Sequence, residues 1–139
     1  MQGTPKTMQN NPTYQNVVSD VFATLERFCN RASQLGIKQL ILDPGFGFGK
    51  TLSHNYQLLN QLEKFHSLGC PLLVGVSRKS MIQKIIDVDA ENALNGTTAI
   101  HTIAAQKGAS ILRVHDVKEA VQVFQIVNYL KQQESTTIS

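Results

Sequence analysis

Leu42-Asp43-Pro44-Gly45-Phe46-Gly47-Phe48-Gly49-Lys50 is the stretch on which the reading of this chain turns. A short apolar run, Gln39–Leu42, leads into a carboxylate, then into a loop with glycine at every second position, then into a lysine. Glycine has no Cβ, so backbone N–H groups in such a loop can approach a ligand closely. A carboxylate at the end of a buried strand is costly unless something pairs with it. Taken alone, Asp43 is as well explained as a cap on the Pro44-Gly45 turn. The loop resembles a phosphate-binding loop, but Pro44 stands where the first glycine is needed. Nor are its alternating glycines the G-x-G-x-x-G of a dinucleotide site. Nucleotide binding is rejected on that spacing.

Working outward, Asn11-Pro12 marks the start of a first helix. Its apolar face carries Val18, Val21, Phe22, Leu25, Phe28, Cys29, Ala32 and Leu35, and Gly36 stops it. After the glycine loop, Ser53 is placed to cap a second helix bearing Leu58, Leu59, Leu62, Phe65 and Leu68, ended by Gly69. Pro71–Gly75 reads as a second strand, followed by Ser77-Arg78-Lys79-Ser80 and a short helix near Met81–Ile86. A helix of small residues over Leu94–Lys107 precedes a third strand, Ile111–Val114. Asp116 and Glu119 have capping-box spacing before a last helix carrying Val117, Val121, Phe124, Val127 and Leu130. The tail from Gln132 to Ser139 is polar and expected to fray.

Apolar strands separated by helices predict a parallel α/β arrangement. Three parallel strands leave both sheet edges unpaired, whereas a closed parallel barrel has eight strands and about 250 residues. The chain therefore reads as the later part of a barrel.

The 139 residues suffice for one domain with a core, and 42% apolar content excludes a disordered chain. A net charge of +3 without a basic run argues against nucleic-acid binding. No apolar stretch approaches membrane-spanning length and no signal peptide opens the chain, so a cytoplasmic protein without a membrane partner is expected. Cys29 and Cys70 read as core thiols, and no His or Cys cluster has metal-ligand spacing. His54, His66 and His101 are read as structural.

All three strands end in polar groups: Asp43 on the first, Ser77, Arg78 and Lys79 after the second, Arg113 and His115 on the third. Arg113 and His115 are two apart and share a strand face. Ligand sites form at the carboxyl ends of parallel strands. The result is a basic rim of Arg78, Lys79, Arg113 and Lys50 around one acid, Asp43, suited to an anionic substrate or to a neutral ring that needs a single acceptor.

These stretches, with Gln2-Gly3-Thr4-Pro5-Lys6-Thr7-Met8-Gln9 and Arg113-Val114-His115-Asp116-Val117, resemble dihydropteroate synthase in order and spacing. The resemblance covers the last three strands of that family's (β/α)8 TIM barrel. It implies that residues 1–131 are the carboxyl-terminal part of a pterin-binding barrel domain and 132–139 a tail. The implied reaction joins 6-hydroxymethyl-7,8-dihydropterin diphosphate to p-aminobenzoate, releasing pyrophosphate. By position the resemblance makes Lys79, Arg113 and His115 catalytic. Asp43, Lys79 and Arg113 would bind the pterin, and Pro5, Gly47, Phe48 and Ser77 the p-aminobenzoate. Arg113 and His115 would bind pyrophosphate. It further implies Mg2+, held by a ligand outside this chain, and a homodimer. The alternatives are a pterin-binding methyltransferase domain, on a related barrel, and a truncated remnant without activity.

Overall fold

A computed structural model describes residues 14–136, with side chains to residue 133. The expected helix start at Asn11-Pro12 lies outside the described residues. The first helix, α1, is Val17–Gln34, capped by Asn16, whose side chain accepts from the Val18 and Ser19 amides. Next come α2 (Leu52–Asn60), a 3-10 helix (Leu62–Leu68), β1 (Leu73–Val74), α3 (Ser80–Ile86), α4 (Leu94–Gln106), β2 (Ile111–Leu112) and α5 (Val117–Thr136). The final helix thus runs past Gln132.

The three expected strands are present as neighbours, but their ladders are short. β1 pairs with β2 in parallel, Leu73 opposite Ile111 and Val74 opposite Leu112. Gln39–Leu42 contributes a single parallel bridge, Leu42 to Leu72. Leu42 N–H donates to Pro71 O at 2.9 Å and Leu73 N–H to Leu42 O at 2.8 Å. Only β1 has a neighbour on each side among the described residues. A ladder fixed from one side holds fewer residues in strand geometry, and Ile41 is 57% exposed.

Alternation along β1 separates core from site. Leu72, Val74 and Val76 are fully buried on one face beside Phe46, Leu58, Leu62 and Phe65. Leu73, Gly75 and Ser77 take the other face, which ends at the rim.

Several local expectations are corrected. The cap of α2 is Thr51, not Ser53: Thr51 Oγ1 accepts from the His54 amide, and His54 Nδ1 accepts from the Thr51 amide. The expected single second helix tightens at Gln61 into the 3-10 turn before Gly69. Phe28 on α1 and Leu35, the residue that ends it, are exposed. In α5 the buried face is Ala120, Val123 and Val127 against Ala105, while Val117, Val121 and Leu130 face out. α4 is the main support of α5, so one narrow stripe is covered and the broader apolar surface is not. Asp116 gives both carboxylate oxygens to Arg78. Cys29 and Cys70 are half-buried free thiols packed on the core.

His101 is a buried polar residue, 2% exposed, and its Nε2 has no hydrogen-bond partner among the described residues. Burial pushes its pKa below the ordinary 6.5, and the Asp116 charge opposes the shift. The unfolded chain therefore takes up a proton near pH 6.5 that the folded chain refuses. Stability present above that pH falls as acid is added, by at most about 1.4 kcal/mol per pH unit for one proton. His101→Phe is expected to flatten the dependence of the urea midpoint on pH between pH 6.5 and 5. An unchanged slope would show that His101 does not carry it.

Candidate active site

Asp43 stands where the bridged segment ends. One carboxylate oxygen accepts from the Gly45 amide at 2.8 Å, and the other lies 4.0 Å from an Arg113 guanidinium nitrogen. The turn cap and the charged partner are therefore both real. Arg113 follows β2 and lies across Gly75 of the neighbouring strand. A Cβ at Gly75 would collide with the guanidinium, so glycine here leaves Arg113 its place.

Lys79, at the start of α3, reaches back over the glycine loop. Its Nζ donates to Phe46 O at 2.5 Å and sits 4.7 Å from the centre of the Phe48 ring, within cation–π range. Burial lowers its pKa first and the Arg113 charge lowers it further, while Asp43 opposes. Phe48 holds a left-handed φ of 41°, unusual for an aromatic residue, and is 40% exposed. Lys50 closes the same loop by donating to Gly45 O at 2.6 Å. Burial also lowers its pKa, followed by opposing effects of Asp43 and Lys79.

On the third strand, His115 is tied to the second. Its Nδ1 lies 2.8 Å from Ser77 Oγ, and its amide donates to the same oxygen at 3.2 Å. The rim thus brings together Asp43, Gly47, Phe48, Ser77, Lys79, Arg113 and His115. Pro5 lies outside the described residues. A cavity of about 310 Å³ opens beside the glycine loop, lined by Gly47, Lys50, Lys79, Ser80 and Lys84 among others. A second, also about 310 Å³, lies between the loop and α1, with Asp43, Phe48 and Lys50 on its wall. The first is rich in cations and suits a small carboxylate.

The sequence profile of the family described as pterin binding enzyme matches residues 1–115. The chain belongs to the pterin-binding enzyme family. It is 51% identical over 129 residues to the dihydropteroate synthase of Escherichia coli (strain K12), a match that covers 91% of this chain and 46% of that protein. The Yersinia pestis dihydropteroate synthase, solved with a sulfonamide drug complex, superposes with a TM-score of 0.92 at 45% identity. That match covers 96% of this chain and 49% of the other. The Thermus thermophilus synthase in complex with 4-aminobenzoate gives a TM-score of 0.87 at 42% identity, covering 92% and 53%. The chain spans about half the length of the relatives it matches.

One expected rim residue belongs elsewhere. Arg78 donates from Nε and Nη2 to Asp116 at 2.9 and 2.8 Å, and from Nη1 to Ala90 O and Glu91 O. Its φ of 54° turns the backbone between Ser77 and Lys79. Arg78 therefore clamps the start of α5 and the loop before α4, and the guanidinium holds the Asp116 carboxyl below its usual range. Sequence reasoning also missed Asn55, a 3% exposed residue of α2 bonded to Gly47. Its only signal is a polar residue three and four positions before Leu58 and Leu59, on their buried face.

Proposed function

We propose that this chain supplies the later part of a (β/α)8 barrel that makes dihydropteroate. The observation that carries the reading is the meeting of Asp43, Lys79 and Arg113 at one rim, where Lys79 also lies over the Phe48 ring. Asp43 accepts from the amino-pyrimidine edge of the pterin. Lys79 donates to the pterin carbonyl and ring nitrogen. Arg113, 58% exposed at its side chain, packs on the pterin and reaches the diphosphate with His115.

The reaction breaks the bond from the pterin methylene carbon to the diphosphate oxygen and forms one from that carbon to the aminobenzoate nitrogen. Negative charge grows on the leaving group and cationic character on the methylene carbon. Arg113 and His115 stabilise the first. The aromatic amine is already nucleophilic and loses its proton after attack, so a strong base is not required. Phe48, Gly47 and Ser77 wall the aminobenzoate side, with the lysine-lined cavity receiving its carboxylate.

Mg2+ is expected from the family resemblance alone. Among the described residues no group of His, Cys, Asp and Glu has the arrangement to hold a metal ion, and the steps above do not use one. The complete protein is proposed to be a cytoplasmic homodimer. Among the described residues no helix is long and apolar enough to cross a membrane.

The test separates two residues in a protein with a complete barrel. Lys79→Ala is expected to weaken pterin binding about tenfold or more, from loss of a charged hydrogen bond, with pyrophosphate binding little changed. Arg113→Ala is expected to weaken both. If calorimetry shows pyrophosphate bound equally well by the Arg113→Ala protein, the anion role of Arg113 is wrong.

A further inference from the structure

We propose that Asn55 is a positioning residue for the aminobenzoate side of the site: it fixes the Phe46–Gly47 peptide so that Lys79 can leave that peptide without the loop collapsing. The naming of the ligand rests on the function proposed above; the lock on the peptide does not.

One peptide unit is gripped at both ends. Its carbonyl, Phe46 O, accepts from Lys79 Nζ at 2.5 Å, and its N–H, on Gly47, donates to Asn55 Oδ1 at 2.7 Å. Asn55 Nδ2 donates to Thr51 O at 2.8 Å, so the orientation of the amide is settled by a donor on one side and an acceptor on the other. Asn55 is 3% exposed and projects from α2, which packs against α1. The acceptor in that grip is thus buried and held from both sides.

The Lys79 grip is of another kind. Lys79 is needed by the pterin, and a lysine that turns to a ligand must give up Phe46 O. The peptide is then held by Asn55 alone. Its neighbours make that hold necessary: Phe48 has a φ of 41°, a left-handed conformation that an aromatic residue in a free loop would leave, and Gly47, at a φ of 86°, has a glycine's freedom to let the peptide flip. Phe48 forms the wall of the cavity next to α1, and Gly47 lines the one beside α3. A peptide flip there would move the ring that faces aminobenzoate while leaving Asp43 and Arg113, on their strand ends, in place. The expected signature is loss of aminobenzoate recognition with pterin recognition kept.

Two measurements test this. Amide hydrogen exchange on this chain joined to the amino-terminal half of the Escherichia coli relative should show Gly47 protected at least tenfold more than Gly45, whose acceptor Asp43 is exposed. Equal protection overturns the proposal. The second uses the same joined protein. There Asn55→Leu, close in size but without an acceptor, should raise the KM for p-aminobenzoate at least tenfold and leave that for the pterin diphosphate within twofold. Both constants rising together, or neither, overturns it. If the unsubstituted joined protein makes no dihydropteroate, the proposed function fails instead, and the exchange ratio decides the role of Asn55. The same ratio decides if Asn55→Leu does not fold.

Discussion

Asp43→Asn, in a protein with a complete barrel, is expected to lower pterin affinity by about ten-fold to over a hundred-fold, from the loss of charged hydrogen bonds worth about 1.5–3 kcal/mol. The substitution is informative because Asp43 has two tasks that it separates. The oxygen that accepts from the Gly45 amide can be replaced by the amide oxygen of Asn, so the turn should survive. The second oxygen, facing Arg113 at 4.0 Å, is replaced by an amide NH2, a donor set against the guanidinium. A pterin edge made of N–H donors then meets a group that no longer offers two acceptors, and Arg113 loses the charge that steadies it. The fold should melt within a few degrees of the unsubstituted protein. Calorimetric titration showing unchanged affinity would remove Asp43 from the site.

Much of this site was legible because strand ends are legible. An apolar run that stops at a carboxylate, and an arginine and histidine two apart after another, are each ambiguous alone, but together they fit the ends of neighbouring parallel strands. Arg78 was misplaced because a left-handed φ at a non-glycine residue leaves no trace in sequence, and that φ sends it toward Asp116. Asn55 was missed because its bond runs eight residues back to a loop, a distance with no periodicity to reveal it. The buried face of α5 was misread for a different reason. Its apolar residues surround more than half the helix, and which stripe is covered depends on α4, not on α5. The strand ladders came out shorter than the apolar runs because pairing needs a neighbour, which a sequence pattern cannot supply.

The 139-residue chain by itself is expected to be marginally folded, to self-associate and to make no measurable dihydropteroate. Its core is real: Phe46, Phe65, Leu58, Leu62, Leu72, Val74 and Val76 are essentially inaccessible to water. Its flanks are not closed. On one side Phe28, Leu35, Ile37 and Ile41 are each at least 50% exposed, beside a segment that among the described residues is paired on one edge only. On the other, Val117, Val121, Ile126 and Tyr129 of α5 are exposed to the same degree. Apolar surface of this extent next to unpaired strand edges favours association between copies. Activity has a separate requirement. The rim supplies Asp43, Lys79, Arg113 and His115 from neighbouring strand ends, but a reaction between two bound substrates depends on holding both in line, and a rim open on one side cannot do that. Supplying the amino-terminal half of the Escherichia coli relative as a second chain should restore part of the activity, because it would cover the apolar flanks and close the rim together. Light scattering, thermal melting and an assay for dihydropteroate on the purified chain decide the matter. A monodisperse protein that melts cooperatively and turns over at the rate of an intact synthase would show that these strands suffice, and that the exposed flanks are surface rather than interface.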